Sequence, residues 1–311
     1  MSWFNGSVPE DCRECQTRVE MVIVPRTVDI GGFEVHRALP FKKKQMVGPF
    51  IFWDQMGPGE FAGGRGVDVR PHPHIGLSTV TYLFDGSMDH KDSLGNDLRI
   101  VPGDVNLMTA GSGIVHSERT GRDVRLQPSR LCGIQSWLAQ PKALETSEPS
   151  FTHYGVEDIP SFTADDLSGR VILGRFQNYV SPIETQWETL YLELKMKPGA
   201  RLEIASSIEE RALHLVSGEI EIDDAVYASR QMMVLRPGSD IVVKANEKTH
   251  LLLLGGAAMD GPRYIWWNFV ASSVERIMSA AEDWQNKKFD IVPHDTEEFI
   301  PLPDLPFPKP L

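Results

Sequence analysis

Cysteine is scarce in this chain, with 3 among 311 residues. So few cysteines exclude a disulfide-rich secreted scaffold and are typical of a reducing compartment. Long apolar runs are also missing, because the most apolar stretches, 251–259 and 265–270, are too short to span a bilayer. The N-terminal stretch MSWFNGSVPEDCREC lacks the apolar core of a signal peptide. We therefore expect a cytoplasmic protein without a membrane partner.

Basic residues are outnumbered, with 31 Lys and Arg against 43 Asp and Glu, for a formal net charge of -12. This balance argues against direct nucleic-acid binding, because phosphate recognition depends on basic patches. The lysine run FKKKQ (41–45) is expected to be a solvated loop. Small molecules and protein partners remain open as ligands.

The three cysteines allow more than one interpretation. Cys12 and Cys15 form one C-x-x-C pair, for which zinc or redox chemistry and incidental thiols both stay open. Cys132 lies in the apolar stretch RLCGIQSWL and is expected to be a buried thiol, with oxidation as the alternative.

Glycine and proline are frequent (26 and 22), and the apolar runs between them are short. This pattern predicts a β-rich fold with many turns, and the length is comfortable for two domains. The predicted strands are 19–24, 49–54, 77–84, 104–109, 188–196, 212–218 and 251–256.

One helix is predicted near the C-terminus, in SSVERIMSAAEDWQ. Ser272 and Glu275 have capping-box spacing. The apolar positions that follow recur at helical spacing and predict one buried face, formed by Val274, Ile277, Met278, Ala281 and Trp284. The tail PLPDLPFPKPL is proline-rich, and we expect it to lie extended over the surface.

A faint internal repeat aligns VTYLFDGSMDH with RALHLVSGEIEI, placing Gly86 against Gly218. It also aligns GDVNLMTAGSG with RQMMVLRPGSD, placing Gly111 against Gly238. Two copies of one strand–turn–strand unit predict two similar β-barrels.

Two short histidine motifs point to a metal. His72 and His74 are two residues apart, as are His116 and Glu118, and residues i and i+2 of a strand point to the same face. On facing strands the two pairs bring three nitrogens and one carboxylate together, a donor set that suits Fe, Ni, Cu, Mn or Zn. A lone H-x-H is more often a surface pair, but two such pairs beside glycine-rich turns favour a site.

The repeat predicts that this site occurs once per chain. The alignment places Ile204 and Ser206 where the first copy has His72 and His74. It places Val243 and Ala245 where the first copy has His116 and Glu118. None of these four residues is a histidine or a carboxylate.

The segments HPHIG (72–76), 80–95 and 102–118 resemble the pirin family of bicupins, as does VGPFIFWDQMGPGEF (47–61). The resemblance covers most of the chain and is most specific in its first half. The family pattern after the histidines often reads H-P-H-x-G-F-E, and here Leu77 and Ser78 replace the Phe and Glu.

The resemblance implies an all-β fold of two cupin (jelly-roll) barrels with a short C-terminal helix. We predict an N-terminal metal-binding cupin domain at 1–140 and a linker at 141–155. The second cupin domain, at 156–311, is predicted to lack the metal ligands and to carry the helix and the proline-rich tail.

By motif, the resemblance gives His72, His74, His116 and Glu118 as ligands of one divalent metal, with Fe(II) favoured. Some pirins resemble quercetin 2,3-dioxygenases, which open a flavonol ring with O2 and release CO. We therefore expect a dioxygenase acting on a small flavonol-like aromatic, with Glu118 as general base.

Other pirins are iron-containing regulators that act through protein partners, and this role is the alternative. A closed structural zinc site is a third interpretation.

Several side chains near these motifs carry two interpretations each. Phe52, Trp53 and Met108 are either pocket lining or, as we favour, barrel core. His90 either reaches the mouth of the pocket or lies in a solvated turn, which its charged neighbours favour. His214 has no companion ligands and is expected to be structural.

Overall fold

The computed structural model describes residues 17–30 and 33–308. Cys12 and Cys15 lie outside these residues. The strands up to residue 163 are β1 (Val19–Ile23), β2 (Arg26–Asp29), β3 (Glu34–Leu39), β4 (Phe50–Phe61), β5 (Asp68–His74), β6 (Leu77–Gly86), β7 (Met88–Asp92), β8 (Asp97–Ile100), β9 (Val105–Thr109), β10 (Ile114–Arg119), β11 (Ser129–Ala139), β12 (Ser150–Tyr154) and β13 (Ser161–Thr163).

The remaining elements are β14 (Leu167–Leu173), β15 (Arg175–Phe176), β16 (Tyr179–Val180), β17 (Thr189–Met196), β18 (Arg201–Ile204), β19 (Glu210–Ser217), β20 (Glu219–Ile222), β21 (Ala225–Ala228), β22 (Met232–Leu235), β23 (Ile241–Ala245), β24 (Thr249–Gly256), β25 (Tyr264–Trp266), β26 (Phe269–Ala271) and helix α1 (Val274–Gln285). Each predicted strand overlaps one of these strands.

Two barrels with the same strand order make up the fold. The first combines the sheet β12-β9-β6-β11-β4-β3-β2 with the sheet β5-β10-β7-β8. The second combines β1-β22-β19-β24-β17-β14-β13 with β18-β23-β20-β21. Strand for strand, β6, β9 and β10 correspond to β19, β22 and β23, which is the correspondence that the glycine alignment predicts. The prediction of an all-β fold with two cupin barrels and one short helix is confirmed.

One edge strand of each large sheet lies outside the predicted bounds of the domain that it joins. β1, at the start of the described chain, pairs with β22 of the second barrel. β12, which lies in the segment expected to be a linker, pairs with β9 of the first barrel. The domain division at 1–140, 141–155 and 156–311 stays a prediction. By their pairing, β1 belongs to the sheet of the second barrel and β12 to the sheet of the first.

The large sheets pack against each other, and their shared core contains Trp53, Tyr82, Tyr191 and Leu252. Neighbouring residues of a strand point to opposite faces, so Trp53 enters this core while Phe52 faces the interior of the first barrel. Glu193 is buried in the same region and accepts a hydrogen bond from the hydroxyl of Tyr82, 2.7 Å away on the other barrel.

Helix α1 begins one residue later than the capping-box prediction places it. Its N-cap is Ser273, whose hydroxyl accepts a hydrogen bond from the backbone N–H of Arg276. Ser272 instead donates its hydroxyl proton to the carboxylate of Glu145, at 2.8 Å. The predicted face is correct for most positions but wrong for Met278, whose side chain is exposed, and Ala280 takes its place in the core.

The C-terminal segment packs on the first barrel. Ile75 forms a parallel bridge with Phe269 of β26. The proline-rich tail then runs over the surface, where the indole N–H of Trp266 donates to the carbonyl of Pro306 at 3.1 Å. In the described ranges the longest helix has 12 residues, and no helix is both long and apolar enough to cross a membrane. The cytoplasmic location stays a prediction.

Candidate metal centre

Strands β5 and β10 bring the histidines of both motifs together. They pair antiparallel, with His116 directly opposite His72 and with Ile114 opposite His74. The ring centroids of His72 and His116 are 4.3 Å apart, and each lies 5.0 Å from the ring of His74. One nitrogen from each ring lies within 4.8 Å of the other two. The three histidines therefore form one buried site.

Backbone carbonyls fix the tautomers of two rings. The Nδ1–H of His72 donates to the carbonyl of Arg70 at 2.9 Å, and that of His74 donates to the carbonyl of Asn268 at 3.0 Å. Such bonds orient an imidazole and leave Nε2 as the free ligand atom. Burial lowers the pKa of His72 to about 4 and those of His74 and His116 well below 6.5. All three rings are therefore neutral at pH 7, as metal binding requires.

The spacing of the nitrogens fits a metal ion. His74 Nε2 and His116 Nε2 are 3.1 Å apart. Two nitrogens bound to one ion at about 2.1 Å each lie about 3.0 to 3.4 Å apart. His116 Nδ1 is buried without a hydrogen-bond partner in the described structure, so the contact of Nε2 with His74 is the only one that the nitrogens of this ring make there. The donor set and the spacing suit a divalent cation.

Glu118 lies beside the three-histidine group. Its side chain lines the same cavity, but it does not belong to the set of ligand atoms within 4.8 Å of one another. The pairing of β10 with β5 shifts register between His116 and Glu118. Burial raises the pKa of Glu118 to about 7, and His90 opposes that rise. A cation on the histidines would lower this pKa, because an opposite charge favours the carboxylate.

His90 is not a solvated turn residue, so that prediction is wrong. It lies on β7, directly opposite Glu118, and only 4% of it is exposed. Its Nε2 is 3.0 Å from Oδ2 of Asp92, and its ring stacks on Phe151 at 4.5 Å. The expectation failed because the charged neighbours Asp89 and Lys91 point to the other face of the strand. His90 supports β10 from the side and does not line the cavity.

The histidines open onto a cavity of about 370 Å³ with an aromatic wall. Phe52 and Trp137 stack at 4.0 Å with an interplanar angle of 13°, and the rings of Trp137 and His74 form a T-shaped pair with centroids 5.1 Å apart. Of the three residues considered from sequence, Phe52 lines this cavity. Trp53 and Met108 are fully buried core residues, as we favoured.

An arginine–aspartate pair lies next to this wall. Arg37 donates from Nε and Nη2 to both oxygens of Asp54, each at 2.8 Å. Its guanidinium carbon also lies 4.4 Å above the ring of Phe52. Burial raises the pKa of Asp54, and the hydrogen bonds from Arg37 oppose that rise.

The C-terminal segment completes the cavity. Trp267, Asn268 and Ile300 all line it, and Asn268 supplies the carbonyl that orients His74. The backbone N–H of Ile300 donates to the carbonyl of Pro71, the residue directly before His72 on β5, at 2.9 Å. Asp295 accepts two hydrogen bonds from the guanidinium of Arg119, each at 2.9 Å, on the outer face of β10.

Apolar side chains occupy the corresponding place in the second barrel. Val243 holds the ladder position of His116, but it pairs with Leu202, and Ile241 pairs with Ile204. Leu202 and Ile204 thus occupy the positions equivalent to His72 and His74. The sequence alignment placed these positions two residues later in the chain. All belong to one apolar cluster, and the described residues hold a single group of metal-ligand atoms.

Two other sequence expectations concern residues outside the cavity. His214 is fully buried and bonds Gln55 Oε1 at 2.9 Å, which fits a structural histidine. Cys132 is only partly buried, so the expectation of a buried thiol is not met in full. Within FKKKQ, Lys42 and Lys43 are exposed, but Lys44 pairs with Glu210 of the second barrel at 2.8 Å.

Comparison with known proteins settles the family. The family model described as Pirin matches residues 32–138, and the Pirin C-terminal cupin domain matches 191–290. A pirin-like protein of Caulobacter vibrioides is 43% identical over 92% of this chain and all of its own length. The chain belongs to the pirin family.

Two further matches, one in sequence and one in solved structure, have lower sequence identity. Human pirin is 30% identical over 87% of this chain and 93% of its own length. A crystal structure of a quercetin 2,3-dioxygenase from Acinetobacter baumannii superposes with a TM-score of 0.85 at 32% identity. That superposition covers 92% of this chain and 95% of the other.

Proposed function

We propose that this pirin is a metal-dependent dioxygenase that opens a flavonol-like aromatic ring with O2. One Fe(II) would be held by His72, His74, His116 and Glu118. The observation that carries the proposal is the convergence of three neutral imidazoles on a cavity with a stacked aromatic wall. The likeness to a structure described as quercetin 2,3-dioxygenase supports this choice of substrate class.

Each part of the cavity has a role in this proposal. When bound, the metal supplies a Lewis-acid position that lowers the pKa of a flavonol hydroxyl. Glu118, in its ionised form, accepts the proton from that hydroxyl. The stacked pair of Phe52 and Trp137 forms an apolar wall against which a flat ligand can pack. The cavity volume lies in the range of small-molecule sites.

Metal analysis combined with turnover tests the proposal. Purified protein reconstituted with Fe(II) should hold about one metal per chain and bleach quercetin only when O2 is present. The double variant His72→Ala/His116→Ala should lose both properties. His153→Ala is the matched control, because this histidine lies on β12, outside the cavity, and should change neither.

The other outcomes discriminate between the functions. Metal binding without turnover of any flavonol would contradict the enzyme and favour a regulatory protein acting through protein partners. Equal metal in the wild type and the double variant would contradict the site itself. Glu118→Gln should keep the histidine-bound metal and lose most turnover, whereas full activity would remove Glu118 from its proposed role.

A further inference from the structure

The pair formed by Arg37 and Asp54 lies at the end of the aromatic wall that is remote from the histidines. Trp137 stacks on Phe52 at 4.0 Å, and the guanidinium lies 4.4 Å from the same ring centroid. Two groups this close to one ring must cover its opposite faces. The side chains therefore follow one another in the order His74, Trp137, Phe52, Arg37.

The strand order determines the distance between the two ends of this series of side chains. Arg37 is on β3, Phe52 on β4 and Trp137 on β11, and these strands are neighbours in one sheet. Adjacent strands are about 4.8 Å apart, and Arg37 pairs with Asp54, two residues along β4 from the Phe52 that pairs with Trp137, so the backbones at Arg37 and Trp137 are about 12 Å apart. Because the histidines and Arg37 line the same cavity, a flavonol with one oxygen at the histidines is expected to direct its phenyl ring toward Arg37.

The ion pair of Arg37 and Asp54 has no net charge, and it still has a donor and an acceptor available for hydrogen bonds to a ligand. Asp54 is 4% exposed and accepts from Nε and Nη2 of Arg37, so its charge is matched by the guanidinium. Within the described part of the chain, Nη1 of Arg37 has no hydrogen-bond partner, and both residues line the cavity. A hydroxyl can accept from Nη1 and donate to a carboxylate oxygen of Asp54. A carboxylate has no proton to donate and would face the carboxylate of Asp54.

We propose that Arg37 and Asp54 determine specificity by selecting a neutral hydroxyl, and rejecting a carboxylate, on the substrate ring farthest from the metal. This inference rests on the proposed function, because it assumes an aromatic ligand whose other end faces the histidines. Asp54 sets the preference: without its negative charge, the same arginine would attract an anion.

Binding to the zinc-loaded protein tests this assignment without turnover. The probes are 3-hydroxyflavone and its 4′-hydroxy and 4′-carboxy derivatives, with dissociation constants measured by calorimetry at pH 7. In the wild type, the 4′-hydroxy compound should bind about tenfold more tightly than the parent, and the 4′-carboxy compound should not gain. In Asp54→Asn, the 4′-carboxy compound should gain about tenfold or more, and the order of the two derivatives should reverse.

Matched variants control for folding and for general charge effects. Glu60→Gln neutralises the acid of an exposed ion pair with Arg130 on the same strands, and it should leave all three affinities unchanged. Arg37→Gln/Asp54→Asn removes both charges together and should abolish both preferences. This double variant keeps the test decisive if Asp54→Asn alone fails to fold.

The outcomes separate this inference from the proposed function. An unchanged order in Asp54→Asn, or equal changes in Asp54→Asn and Glu60→Gln, would overturn the inference alone. Failure of all three compounds to bind would contradict both. The predicted reversal without turnover of quercetin by the Fe(II) protein would support the pair as a specificity determinant and contradict the dioxygenase.

Discussion

Replacing Glu193 with glutamine should loosen the contact between the barrels in a pH-dependent way. The carboxylate is 6% exposed and accepts from Tyr82 of the first barrel at 2.7 Å. His250 lies 2.9 Å and Lys195 3.2 Å from its other oxygen. Burial by itself would raise the pKa of Glu193, but His250, Tyr82 and Lys195 outweigh it and lower the pKa to about 2.

The size of the effect follows from this shift. The drop from 4.5 to about 2 corresponds to about 3 kcal/mol of folding free energy at pH 7, at about 1.36 kcal/mol per pKa unit. Because the folded-state pKa is depressed, this stabilisation is complete above the unfolded pKa of 4.5. It is lost as the pH falls toward 2 and should be about 1.4 kcal/mol at pH 3.

Urea unfolding of wild type and Glu193→Gln at several pH values measures this difference. We expect a gap of about 3 kcal/mol at pH 7 in the transition that separates the barrels, shrinking by about half at pH 3. Glu221→Gln is the control, because its half-exposed pair with Lys244 should contribute less than about 1 kcal/mol. A gap that stays constant from pH 7 to pH 3 would refute the reasoning.

Three further predictions concern other parts of the fold. In urea unfolding, Gly76→Ala should be more destabilising than Gly95→Ala. Both glycines have positive φ (64° and 90°), so an alanine at either position costs about 1 kcal/mol of folding free energy. Only the Cβ at position 76 would lie 2.1 Å from a carbonyl oxygen of the C-terminal segment. Burial raises the pKa of Cys132 to about 11, so in a variant with serine for both N-terminal cysteines its alkylation at pH 8 should be about a hundredfold slower than that of a peptide thiol. Asp295→Asn weakens the ion pair that holds the tail against β10, so hydrogen exchange at the amide of Ile300 should accelerate; unchanged exchange would show that other contacts hold the tail.

The sequence predicted the parts of this protein that depend on local spacing. His72, His74 and His116 come together because a strand repeats its direction every two residues, and that period is visible in the letters. The strands were also predicted from local pattern, because short apolar runs end at glycine or proline. The sequence alignment also placed residues without ligand groups at the equivalent positions of the second barrel, although the register of β18 moved two of those positions by two residues.

What the sequence did not reveal depends on contacts between distant segments. Arg37 and Trp137 reach the cavity only through the pairing of β3, β4 and β11, and neither lies in a recognisable motif. The helix cap was misplaced because two serines are adjacent, and Glu145, far away in sequence, bonds the first of them. Local pattern likewise gives no sign that β1 joins the second barrel.

The carbonyl of Asn268 that orients His74 lies 194 residues later in the chain. At about 5 to 20 residues per second, a ribosome needs roughly 10 to 40 s to add that stretch. A first barrel emerging from the ribosome therefore has its histidines in place long before the last wall of its pocket exists. We expect metal captured during translation to be held more loosely than metal in the finished protein.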